Sequence, residues 1–115
     1  MDMIIAVDAL SALAQPTRLA AFRLLVQAGQ DGMAAGDIAA ALKVRQNTMS
    51  TNLVILVEAG LARNSRDGRT IRYTVNLDGT RQLLGFLVQD CCGGRPELCQ
   101  PLMDQITCAC QEKTL

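Results

Sequence analysis

Five cysteines fall within the last 25 residues, Cys91-Cys92, Cys99, Cys108 and Cys110, and none precedes them. Thiolates are soft ligands suited to thiophilic ions. Trivalent arsenic or antimony takes three sulfurs in a pyramid with no fourth ligand, and Cys91, Cys92 and Cys99 supply three where Gly93-Gly94 turns the chain back. Zinc favours four ligands, often including histidine. The sequence has no His, which removes imidazole sites and the usual general base. Asp90 or Glu97, or Cys108 and Cys110, would complete a cadmium, lead or zinc site instead. A lone cysteine is most often a small buried apolar residue. A cluster confined to one end points to ion binding, with reversible disulfide formation as the rival reading.

A second constellation lies mid-chain, at Arg45-Gln46-Asn47-Thr48-Met49-Ser50-Thr51-Asn52. Arg, Gln and Asn make bidentate contacts to guanine and adenine edges, and Ser and Thr reach phosphates or either base type. By itself such a stretch is most often a solvated helix face. Arg63, Arg66, Arg69 and Arg72 follow it, where long cations can meet backbone phosphate or enter a minor groove. The chain carries no net charge, yet residues 43–72 hold six basic side chains against Glu58 and Asp67, a local net of +4 between two acidic ends. That asymmetry suggests one surface facing a polyanion.

The elements that must position these residues follow from periodicity. A short helix is expected over 4–14, ended by Gln15-Pro16, and a second over 16–29, with Pro16 at its first position and Leu19, Phe22, Leu25 and Val26 on one face. A third, over 34–42, carries Ile38, Ala41 and Leu42 on one side, and Lys43-Val44 leaves only a tight connection to a fourth over 45–59, with Met49, Leu53, Leu56 and Val57 at helical spacing. Two short helices joined by a tight turn, the second polar first and apolar later, read as a helix-turn-helix. The segments on either side of Asp67-Gly68 then read as a β-hairpin over 61–76. In its second arm Ile71, Tyr73 and Val75 alternate with polar residues. Asp78 suits an N-cap for a fifth helix over 78–90, whose Leu83, Leu84, Phe86, Leu87 and Val88 are apolar over more than one stripe. Some of that surface should meet a second subunit. A last helix over 96–106, interrupted at Pro101, is the remaining candidate.

The expected fold is therefore mainly α with a β-hairpin wing, one winged helix-turn-helix domain over 1–115. Its parts are a recognition helix (45–59), a wing (61–76), a dimer helix (78–90) and a cysteine-rich tail (91–110). Composition agrees: 50% of residues are apolar and only 3% aromatic, which favours packed helices over a β-sandwich, and the length holds one domain. The longest strongly apolar run, 53–57, is far short of a membrane span. The N-terminus lacks the basic segment of a secretory signal, so a soluble cytoplasmic protein with reduced thiols is expected.

The sequence resembles the ArsR/SmtB family of metal-responsive repressors over roughly residues 10–90. Ala14-Gln15-Pro16-Thr17-Arg18-Leu19 is similar to that family's entry into its second helix, Gln46-Asn47-Thr48-Met49-Ser50 to its recognition-helix start, and Ala59-Gly60-Leu61 with Arg66-Asp67-Gly68-Arg69 to its passage into the wing. The resemblance implies a homodimer joined through first and fifth helices. It would bind double-stranded operator DNA, an imperfect palindrome, and repress its own operon until an inducer binds, with no resident cofactor. The best-known arsenic sensors of the family carry a C-V-C motif before the recognition helix, but Met33-Ala34-Ala35-Gly36-Asp37 has no cysteine. The Asp/His pattern of the zinc sensors is missing too. Cys91, Cys92 and Cys99 instead resemble a variant arsenic-sensor subgroup whose cysteines follow the fifth helix, which implies As(III) or Sb(III) as inducer, with Cys108 and Cys110 as possible extra ligands. The same fold answering thiol oxidation or Cd, Pb or Zn is the alternative. An enzyme is not expected: the chain has neither the C-x-x-C of thioredoxin-like proteins nor a Cys–Arg oxyanion cradle of a thiol-based arsenate reductase. A metallochaperone would have no use for the basic middle.

Overall fold

A computed structural model describes residues 1–88 and Pro101. In chain order it has α1 (Met3–Leu13), α2 (Pro16–Ala28), a 3-10 turn (Gly29–Asp31), β1 (Met33–Ala34), α3 (Ala35–Leu42), α4 (Gln46–Glu58), β2 (Ala62–Asp67), β3 (Thr70–Val75) and α5 (Leu77–Leu87). The helices start where side chains satisfy their orphan N–H groups. Asp2 Oδ1 accepts from Ile5 N at 2.9 Å, Gln15 Oε1 from Arg18 N at 2.8 Å with Pro16 next to it, and Asn76 Oδ1 from Gly79 N at 3.1 Å. Asp78, expected to cap the fifth helix, lies in its first turn instead.

Antiparallel strands form a sheet in the order β1-β3-β2. The hairpin register pairs Asp67 with Thr70, so its two-residue loop is Gly68-Arg69, one position later than the Asp-Gly turn expected. Gly68 takes φ 65°, and glycine at the first loop position is what a type II′ connection requires. β1, not expected from the sequence, where Ala34 is read as the first residue of the third helix, pairs Met33 with Tyr73 and Ala34 with Arg72. Two residues are too few to show an alternation.

The core runs from Ala6, Ala9 and Ala12 of α1 through Ala21 and Leu25 of α2, Ile38 and Ala39 of α3, and Met49, Leu53 and Leu56 of α4, to Leu61, Tyr73 and Leu83. On α2 the inward stripe is Ala21 and Leu25, with Phe22 half-buried, whereas Leu19 and Val26 are exposed. On α3 it is Ala39 rather than Ala41 that turns inward. Both differences rotate the expected face by one or two residues, which small alanines permit because they fit where helices approach closely. Ile71 is also exposed, so the apolar face of the wing is covered only at Tyr73 and, in part, Val75.

The first turn of α5 comes against Gly60, just past the end of α4. A side chain at Gly79 would run into the carbonyl oxygen of Gly60, so glycine is what allows the approach. Only Leu83 of α5 is buried, while Leu84 and Leu87 are 48% and 51% exposed. On α1, Met3, Ile4, Val7 and Leu10 are likewise exposed. Among the described residues no helix is long and apolar enough to cross a membrane.

Candidate nucleic-acid interface

The turn between α3 and α4 is set by Lys43, which takes the left-handed conformation (φ 57°, ψ 46°). Lys43 N donates to Ala40 O at 3.3 Å and Val44 N to Ala39 O at 3.0 Å, the paired bonds of a Schellman motif that stop a helix and redirect the chain. Arg45 then occupies the N-cap of α4 with extended backbone and an exposed side chain that makes no capping bond.

On α4, Met49, Leu53 and Leu56 are fully buried at helical spacing, which fixes what the other faces present. Gln46, Ser50 and Val54, at i, i+4 and i+8, line one side of a groove of about 380 Å³. Arg69, Thr70 and Ile71 of the wing line the other, with Ala35 and Gly36 of α3 closing its end. The Gln46 carboxamide lies over Gly36, its atoms 3.7–3.8 Å from where a Cβ would stand, an ordinary contact distance. Asn47, Thr48 and Thr51 are exposed on the outer face. Asn47 Oδ1 accepts from Thr48 N at 2.8 Å, and Thr51 Oγ1 donates to Asn47 O at 3.1 Å, so these two side chains are partly engaged with their own helix.

Asn52 departs from the expectation that it faces a nucleic acid. It is 9% exposed, the one buried polar side chain among the described residues, and its Oδ1 accepts from Arg18 Nη1 at 3.1 Å. The period of 3.6 places it beside Met49 and Leu53 on the inward face.

The wing arginines divide by register. Residues paired across the hairpin share a face, so Arg66 stands beside Ile71 on the groove side, whereas Arg63 and Arg72 face the opposite way. Arg63 forms a 3.5 Å ion pair with Asp78 at the base of the wing, both side chains largely exposed, and Arg81 meets the same carboxylate at 3.5 Å. Arg72 Nη1 donates to the carbonyls of Asp31 and Gly32 at 3.1 and 3.3 Å, pinning the turn before β1 to β3. Arg66 and Arg69 are exposed, and no salt bridge joins either to another described residue. Arg69 in the loop and Arg66 next to it are therefore the cations best placed to meet a phosphate. Val54, Thr70 and Ile71 are not among the site residues expected from the sequence, where Ile71 is read only as part of the wing's apolar face. The spacing of Val54 from Gln46 and Ser50 was the available signal for it, and nothing local marked Gly36.

Cys91, Cys92, Cys99, Cys108 and Cys110 lie outside the described residues, as do Asp90 and Glu97. Among the described residues no group of three or more Cys, Asp or Glu side chains is placed to hold a metal ion.

Comparison with known proteins bears on this geometry. A helix-turn-helix domain family matches residues 13–64. Among solved structures, a possible transcriptional regulator for arsenical resistance is 31% identical, with 70% of this chain and 80% of that one covered and a TM-score of 0.62. NolR from Sinorhizobium fredii is 33% identical over 74% of this chain and 82% of its own, with a TM-score of 0.58. The homodimeric winged helix-turn-helix DNA-binding domain of a possible ArsR-family regulator from Mycobacterium bovis is 29% identical over 75% and 78%, with a TM-score of 0.63. The chain belongs to the ArsR family. No curated protein sequence matches it. As an ArsR-family member it is a winged helix-turn-helix, DNA-binding transcriptional regulator, with α3 and α4 as its helix-turn-helix and β2–β3 as its wing.

Proposed function

We propose that this ArsR-family regulator is a repressor that binds its operator as a homodimer and is released when Cys91, Cys92 and Cys99 take up As(III) or Sb(III). The observation that carries the DNA half is the groove that sets Gln46 and Ser50 opposite Arg69, with base-reading side chains on one wall and a phosphate-seeking cation on the other. Such a cleft suits a duplex edge, with α4 in the major groove and the wing against the backbone. Exposed apolar side chains on α1 and α5 support the dimer, as does the homodimeric state of the Mycobacterium bovis relative. A two-fold dimer calls for an imperfect palindrome as operator.

The inducer half rests on the five clustered cysteines and on the likeness to a possible regulator for arsenical resistance. The tail begins just beyond α5, so closing three thiolates around one ion would pull on the helix that carries Leu84 and Leu87. Nearly complete release requires the ion to favour the DNA-free conformation by about 5.5 kcal/mol. In the reducing cytoplasm these thiols are available without a resident cofactor.

Serine is nearly isosteric with cysteine and a far poorer soft-ion ligand, which supplies the test. Cys91→Ser, Cys92→Ser and Cys99→Ser should each keep operator binding and lose the arsenite response, whereas Cys108→Ser and Cys110→Ser should matter less. A triple variant at the first three positions that still leaves DNA on arsenite addition sinks the assignment. A response only to oxidants favours the redox alternative, and one only to Cd, Pb or Zn favours the divalent-ion alternative.

A further inference from the structure

Arg18 and Asn52 join three helices in a way that stability alone does not explain. Arg18 Nε donates to Ala12 O at 2.6 Å, one of the last carbonyls of α1 and without an intrahelical partner. Through Nη1 the same guanidinium reaches Asn52 Oδ1, midway along α4 and on its buried face. A leucine at position 52 would suit a helix interior and a core better than an amide that needs a partner once buried. α1 and α4 share the buried core, and beside this bridge the surface between them is open. A surface cleft of about 420 Å³, lined in part by Asp8, Ser11, Ile55 and Glu58, runs along them. At the edge of that cleft the bonded guanidinium is the polar link between the two helices.

We propose that Arg18, acting through Asn52, is a positioning residue that sets the angle of the recognition helix relative to α1 and so the distance between the two recognition helices of the dimer. The inference rests on the DNA-binding dimer described above. α1 carries exposed apolar side chains suited to the dimer contact, and α4 carries the base-reading ones, so a rigid link between them transmits dimer geometry to the DNA. Two half-sites must lie about one helical turn apart, and a small change of inclination, doubled by the two-fold, moves the reading heads out of register with it.

The test uses the full chain, its own upstream DNA, a set of operators whose half-site spacing is changed by one or two base pairs, and an unrelated duplex. Asn52→Leu should melt at or above the wild-type temperature, lose about tenfold in affinity for the natural spacing, bind the altered spacings about as well as the natural one, and keep its affinity for unrelated DNA. Asn52→Asp, which keeps the acceptor, should restore the wild-type spacing preference. Should Asn52→Leu not fold, Arg18→Lys, which keeps the charge but reaches only one of the two acceptors, should show the same flattened preference. A wild-type spacing profile in the folded variant, or an equal loss on every duplex, overturns the proposal and leaves DNA binding standing. Failure of the wild-type chain to bind its upstream DNA overturns the DNA-binding reading, and this one with it.

Discussion

Replacing Arg69 by alanine tests the assignment of the wing most sharply, because the four wing arginines carry equal charge and differ only in where the fold directs them. Arg69 sits in the hairpin loop at the mouth of the groove, exposed and without a salt bridge to any described residue. If each protomer's Arg69 neutralises one phosphate, the dimer releases counterions at two, and the slope of log K against log salt falls by about 0.9 per phosphate, about 1.8 in all. Between 50 and 200 mM salt that difference amounts to about 12-fold in relative affinity. Arg72→Ala removes the same formal charge, but its guanidinium is held by the carbonyls of Asp31 and Gly32. Its slope should stay near wild type while stability drops by about 1 kcal/mol, the scale of a partly exposed hydrogen bond to a charged group. Arg63→Ala, beginning from an exposed ion pair with Asp78, should change both quantities little. Fluorescence anisotropy across a salt series, with thermal melts of each variant, gives all these numbers. An unchanged slope for Arg69→Ala, or equal slope changes for Arg69→Ala and Arg72→Ala, would refute the reasoning from register and bonding.

Gln46→Ala should alter base preference at one position of each half-site by about 1–3 kcal/mol and leave the salt slope intact, as read by binding to a library of single-base operator variants. Leu84→Glu should give a monomer or an aggregated chain in sedimentation, because the carboxylate would be buried without a partner. Leu84 is a cleaner probe of the interface than Phe86, which packs on the protomer's own core. Lys43→Gly should raise stability by about 0.5–1 kcal/mol in a denaturant titration, relief of the left-handed backbone outweighing glycine's extra freedom in the unfolded chain.

The helix order, the tight turn before α4 and the wing were legible because each depends on local signals: proline at a helix start, apolar spacing and a glycine at the hairpin turn. What escaped depended on partners distant in sequence. Asn52 looked like its polar neighbours until α2 placed a guanidinium against it, 34 residues away. Arg63 and Arg72 looked equivalent to Arg66 and Arg69 until strand register sent them to the other face. β1 consists of two residues paired to a strand some 40 positions later, which no local pattern can announce. The inward faces of α2 and α3 were misjudged because alanine, scored weakly by any apolar count, fills the closest helix contacts. The cysteine reading was drawn from residue type, spacing and a family resemblance, and no residue of that cluster lies within the described part of the fold.

One measurement bears on the whole functional reading: the mobility of the duplex upstream of the protein's own gene, with the wild-type chain kept under thiol reductant, before and after arsenite is added. The expected result is a retarded complex that withstands excess unrelated DNA, saturates at one dimer per site and disappears at about one arsenite per Cys91-Cys92-Cys99 set. A complex that survives saturating arsenite and antimonite contradicts the inducer assignment, and the absence of any sequence-preferring complex contradicts the repressor itself.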